Sequence, residues 1–193
     1  MNSPYFQTPK NQWKIITKGL LDKHPLSRNE IKNQVLESWK DIFESGFGKM
    51  QLKIGKDIFP KPQIMGFLLH ELVARSLAKK HPDKWRGEEK KTDKDLVYIP
   101  DDVFSIEIKT SSHKDQVFGN RSYAQEGAGL GKTKSGYYLL VNFQSFGDAT
   151  GEPKIQQVRF GWIDHGDWIG QTSATGQQAR LLPEVYQGKL EIV

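Results

Sequence analysis

The chain has 193 residues, 28 Lys and Arg against 23 Asp and Glu for a net charge of +5, and no cysteine, which excludes disulfides, thiolate nucleophiles and thiolate zinc sites. Leu, Ile, Val and Phe make up about a quarter of it, enough for a folded core. Its longest apolar run, Gly136 to Phe143, falls far short of the roughly 20 residues of a membrane-spanning helix, and MNSPYFQTPKNQW lacks the basic-then-apolar pattern of a signal peptide, so a cytoplasmic protein with no membrane partner is expected.

Thr8-Pro9 is a helix start, followed by Trp13, Ile16 and Leu20 on one face. A second helix begins after Ser27, with Glu30 at capping-box spacing, and Ile31, Val35, Trp39, Ile42 and Phe43 keep the helical period to Ser45. A short strand is expected around Gln51 to Ile54. Pro62 opens a third helix, to about Lys80, with an apolar stripe of Ile64, Met65, Leu68, Leu69, Leu72 and Val73. Glu71 projects at the edge of that stripe, where it either pairs with Arg75 four residues on or points into a site roofed by the helix.

The charged run from Lys79 to Lys94 reads as a solvated loop. Beyond it the period changes to two: Asp95 to Ile99 is a strand, Pro100 to Asp102 a turn and Val103 to Thr110 a second strand. Tyr137 to Phe143 is a buried strand and Gln157 to Ile163 an alternating one. Helices followed by strands predict an α+β or mixed α/β fold, a central mixed sheet flanked by helices.

In the hairpin, Ile106 and Ile108 face one side while Ser105, Glu107 and Lys109 face the other. A loop centred on Asp101 sets Asp95 directly opposite Glu107, about 5 Å apart at Cβ. Facing carboxylates repel, and a divalent cation between them removes the repulsion. With Lys109 beside them to hold a phosphate oxygen or an attacking water, the set describes metal-assisted phosphodiester hydrolysis. Acidic-x-Lys triplets occur five times in this chain, but only Glu107/Lys109 lies on a strand behind another that begins with Asp.

Asp95, eleven residues, then Glu107-Ile-Lys109, preceded by a Glu-bearing helix, resembles the PD-(D/E)XK nuclease superfamily, with Lys94 where the superfamily name has proline. KHPLSRNEI from Lys23, IEIKTSS from Ile106, FGNRSYAQ from Phe118 and TGQQARL from Thr175 are similar, more narrowly, to small type II restriction endonucleases of the ScaI type. The resemblance implies a restriction-endonuclease-like fold and a homodimeric, Mg²⁺-dependent enzyme that cuts both strands of a short palindromic DNA site. Asp95 and Glu107 would hold the metal, Lys109 would assist the water, and Glu71 would complete the site.

Contacts to double-stranded DNA are expected from Lys114, Asn120, Arg121, Tyr123 and Gln125, which follow the catalytic strand. Gln177, Gln178 and Arg180, in a predicted polar loop, are able to make bidentate contacts with adenine and guanine. One nuclease domain over 1–193 is expected, with an N-terminal helical part (1–46), a catalytic core (62–163) and a C-terminal segment (164–193) in DNA recognition. A structure-specific repair or recombination nuclease and a non-catalytic DNA-binding module are the alternatives. Two decoys are set aside. Gly127 to Thr133 is one residue short of a phosphate-binding loop and leads to a strand, so no nucleotide cofactor is expected. His70-Glu71 begins like a zinc-protease helix but has Ala74 at the next ligand position, and His113 is the histidine expected near the site.

Overall fold

The computed structural model describes residues 3–124, 133–173 and 175–193. A 3-10 turn over Lys10–Gln12 leads into α1 (Trp13–Asp22). The Ser27 hydroxyl accepts the Glu30 backbone N–H at 3.2 Å and starts α2 (Arg28–Glu44), as the capping box predicts. Two short strands, β1 (Gly46–Phe47) and β2 (Leu52–Lys53), pair antiparallel before Pro62 opens α3 (Pro62–Lys80). The buried side of α3 is Met65, Leu69, Val73, Ala74 and Leu77. Ile64, placed on that stripe by the sequence reading, is instead 53% exposed and adjoins the exposed Phe67.

The charged run is not all loop. It contains β3 (Trp85–Gly87), whose Trp85 is fully buried, and the strand pairs antiparallel with β4 (Leu96–Tyr98). Between them Asp93 accepts from Arg86 at 2.6 Å and from the N–H groups of Glu89 and Lys90; the Arg86 guanidinium holds its carboxyl down at about 2. The connection after β4 also differs from expectation. Asp102–Phe104 forms a 3-10 turn, so β5 starts at Ile106 (Ile106–Ser111) and not at Val103. The Asp101 carboxylate accepts Val103 N–H and the Ser105 hydroxyl caps Tyr98 N–H, which absorbs the extra residues without altering the register. Leu96 faces Ile106, the pairing expected from a loop centred on Asp101.

After β6 (Phe118–Asn120) and a 3-10 turn over Arg121–Ala124, β7 (Gly136–Phe143) runs parallel to β5 and antiparallel to β8 (Ile155–Ile163). β8 is buried continuously from Val158 to Ile163, not alternately, because both its faces are covered. The chain ends in β9 (Trp168–Gly170), β10 (Gln178–Leu181), α4 (Pro183–Gly188) and β11 (Leu190–Ile192).

The main sheet has the order β11-β8-β7-β5-β4-β3 and is mixed, as predicted. One face packs with α1, α2 and α3 around Ile31, Leu69, Ile106, Leu139 and Phe160. Gly66 lets α3 approach closely, since a Cβ there would meet Thr110 Oγ1 of β5 at 2.6 Å. The opposite face presents Tyr138 and Leu140 to Trp168, Ala179, Leu181 and Val185. Those residues belong to α4 and to a second sheet, of order β6-β10-β9. Buried Asn142 joins the layers: it donates to His113 O and Gln116 O and accepts from Arg159, fixing the segment between β5 and β6. No helix of the described residues is long and apolar enough to cross a membrane.

Candidate active site

Side chains along β5 alternate between the two faces of the sheet. Ile106 and Ile108 enter the helix-covered core, so Glu107 and Lys109 turn to the face shared with the small sheet. Glu107 is 2% exposed, and Lys109 Nζ lies 2.6 Å from its Oε1. Asp95, one residue before β4, reaches the same region, and its Oδ2 accepts the Ile108 N–H at 2.6 Å. The Ile108 N–H thus holds Asp95 beside β5, and an ion pair joins Lys109 to Glu107 on β5 itself.

α3 closes the other side. His70 Nε2 stands 3.2 Å from Asp95 Oδ2, and its Nδ1 stands 3.5 Å from Glu71 Oε1. Burial disfavours the charged imidazole, yet the hydrogen bond and charge of Asp95, helped by Glu71, outweigh it and raise the His70 pKa. Glu71 Oε2 also meets Arg75 Nε at 3.4 Å. Besides this pair, Glu71 lines a cavity of about 290 Å³ with His70, Asp95 and the 88–91 loop.

His70 was not among the expected site residues, and His113, expected there, accepts from the Asp115 and Gln116 N–H groups of its own loop and meets Phe118 edge-on. The signal for His70 was its position next to Glu71, but its partner Asp95 is 25 residues further on and only the fold unites them.

Tyr123 also has a place other than the one expected. It is 7% exposed, and its hydroxyl donates a short hydrogen bond to Glu107 Oε1. Burial and the Glu107 charge both push this phenol far above its ordinary pKa, so it stays a donor. Lys109 Nζ lies 4.8 Å from the centre of its ring. The ring packs on Trp168, and a Cβ at Gly119 would crowd it at 3.2 Å. Tyr123 thereby ties the small sheet to the carboxylate of β5. Replacing it with Phe removes one hydrogen bond to Glu107 while keeping the packing. Cleavage by Tyr123→Phe should fall at least severalfold with little change in affinity for DNA; wild-type turnover would show that the contact does not position Glu107.

Arg121 is half-buried, its Nη1 donating to Ser173 O and Gly176 O at 3.2 and 3.3 Å. Lys114, Asn120, Gln177, Gln178 and Arg180 are exposed. The predicted loop holding the last two is strand β10, and its register brings Gln178 opposite Asn120. Gln125 and most of the 127–133 decoy lie outside the described residues.

The donor set suits a hard divalent cation. Two carboxylates offer oxygen ligands, and among the described residues no three His, Cys, Asp or Glu converge to form a protein-only cage. One or two carboxylates completed by water and substrate phosphate are the usual requirement of Mg²⁺.

The sequence was compared with known proteins. The family model described as ScaI restriction endonuclease matches residues 3–193. The type II restriction enzyme ScaI of Streptomyces caespitosus is 50% identical over 182 residues, which cover 93% of this chain and 79% of that enzyme. No solved structure matches. A match over nearly the whole chain, together with half identity to a relative, leaves one conclusion for an acidic pair and lysine set on paired strands: the chain belongs to the ScaI restriction endonuclease family.

Proposed function

We propose that this restriction endonuclease hydrolyses both strands of a short palindromic duplex site with Mg²⁺, as a homodimer, through Asp95, Glu107, Lys109 and Glu71. The observation that carries the reading is Asp95, just before β4, bonded to the Ile108 N–H next to Glu107 on β5, with Lys109 on the Glu107 carboxylate. A divalent cation at Asp95 and Glu107 would supply positive charge to the scissile phosphate and ease ionisation of water. The Ile108 N–H and His70 hold Asp95 in place, and the Tyr123 hydroxyl does the same for Glu107. Lys109, tethered beside Glu107, orients the attacking water or a phosphate oxygen. Glu71, on the cavity wall with Asp95, serves the site from α3.

Its contribution is separable from that of its ion pair. The Arg75 pair, half in solvent, contributes only about 0.3–0.5 kcal/mol. Glu71→Gln should reduce the cleavage rate at least tenfold without lowering the melting temperature by more than a degree or two. An unchanged rate would leave Glu71 with the Arg75 pair alone.

Exposed Lys114, Gln177, Asn120, Gln178 and Arg180 supply DNA contacts, helped by the net charge of +5. One chain offers a single Asp95/Glu107 set, whereas a duplex presents two antiparallel strands, so a two-fold dimer matches a palindrome. Analytical ultracentrifugation with a cognate duplex should find two protomers per duplex; one protomer would overturn the dimer. The test of the whole reading is incubation with plasmid DNA. Discrete fragments are expected in Mg²⁺ and none in EDTA, and binding without cleavage, or cutting confined to branched or mismatched DNA, would overturn it.

A further inference from the structure

The small sheet has an inner and an outer face, and the alternation along its strands sorts the residues between them. Gly119, Ala179, Leu181 and Trp168 turn inward to the second core. Asn120 and Gln178, paired across β6 and β10, therefore turn outward, as do Phe118, Arg180 and Ile169, which form one row across all three strands. Asn120, Gln178 and Arg180 are exposed, and Ile169 is 38% exposed. Two carboxamides and a guanidinium thus stand beside apolar side chains on a surface with no acidic residue in the row.

We propose that this outer face reads base edges in the major groove, with Asn120, Gln178 and Arg180 as hydrogen-bonding readers and Ile169 as the contact for a thymine methyl group. The proposal rests on the endonuclease reading above and names the surface that gives it specificity. Carboxamides can bond bidentately to adenine, guanidinium to guanine, and an aliphatic side chain can pack on the thymine methyl. The groove is wide enough for a β-ribbon. Gln178 and Arg180, two residues apart on β10, are spaced by about 6.8 Å, close to two base-pair steps.

The face is also tied to the rest of the domain by hydrogen bonds. Arg121 holds the turn before β10 through Ser173 O and Gly176 O, and Gln171 N–H donates to Gln178 O at 2.8 Å. Tyr123 joins the inner side of the sheet to Glu107. The residues that meet the bases and a carboxylate of the site therefore belong to one packed unit, and Arg121 and Tyr123 act within it as positioning residues without contacting DNA.

The test reads binding, in Ca²⁺ or EDTA, so that it does not depend on cleavage. A cognate duplex is selected from a randomised pool with the wild-type protein. Replacing its purines singly by 7-deaza analogues removes the major-groove N7 while preserving base pairing, and replacing thymine by deoxyuridine removes the methyl group. Wild type should lose about fivefold or more in affinity at individual purines. Asn120→Ala, Gln178→Ala and Arg180→Ala should each lose a similar factor on the cognate duplex, change less than twofold on a random one, and become indifferent to one of the purine replacements. Ile169→Ala should lose sensitivity to deoxyuridine. Indifference of the wild type to every 7-deaza replacement would overturn the proposal, as would equal losses on cognate and random duplexes, which mark phosphate contact. Failure of the catalytic reading would appear differently, as selective binding in Ca²⁺ with no cleavage in Mg²⁺.

Discussion

Asp95→Asn and Glu107→Gln are each expected to abolish Mg²⁺-dependent cleavage, by at least a thousandfold, while DNA binding is kept or strengthened. The amides are better tests than alanine because each carboxylate also has a structural duty. Asp95 Oδ2 accepts the buried Ile108 N–H, and leaving that donor unpaired would cost about 1–3 kcal/mol. Glu107, almost fully buried, holds the Tyr123 hydroxyl. An amide oxygen preserves both acceptors but removes the charge that attracts a divalent cation, and removing negative charge also relieves repulsion of the phosphate backbone. Cleavage within tenfold of wild type by either variant would exclude its carboxylate from the metal site. The physical signature besides activity is thermal: Mg²⁺ should raise the melting temperature of the wild type and not of these variants.

The parts of this site that could be read from the sequence are those set by local rules. Ser27 with Glu30, and Pro62, marked the starts of α2 and α3 because capping and the missing proline N–H act within one turn. The Leu96–Ile106 register followed from the loop centre and is kept even though the loop is a 3-10 turn, because Leu96 and Ile106 must both enter the core. The small sheet could not be read this way. Its inward residues on β6, β9 and β10 include Gly119, Gly170 and Ala179, so each strand, three or four residues long, carries at most one large apolar side chain inward, too little for a period of two to stand out. The bulk that packs there is supplied by Tyr123 and Trp168. β3 was hidden similarly, with Trp85 the one large apolar residue in a charged run. His70 and Tyr123 enter the site through contacts across 25 and 16 residues, which no periodicity encodes.

Lys109 should be as sensitive as the carboxylates, but its variant needs a second measurement. Lys109 Nζ sits 2.6 Å from Glu107 Oε1 and its side chain is 18% exposed, so the ammonium compensates the charge of a buried carboxylate. Removing one partner of a buried pair costs about 3–5 kcal/mol, so loss of cleavage has to be separated from loss of folding. Lys109→Met is one atom shorter, keeps most of the apolar stem and deletes the charge that stands over the Tyr123 ring. Loss of cleavage by at least a hundredfold is expected, with cognate DNA still bound. If Lys109 and a divalent cation both neutralise Glu107, the destabilised variant should be rescued by Mg²⁺, its melting temperature rising by more than that of wild type at the same concentration. A purely structural lysine predicts the opposite: the metal would leave the loss of stability uncorrected, and cleavage would return once the assay temperature was lowered enough to fold the chain.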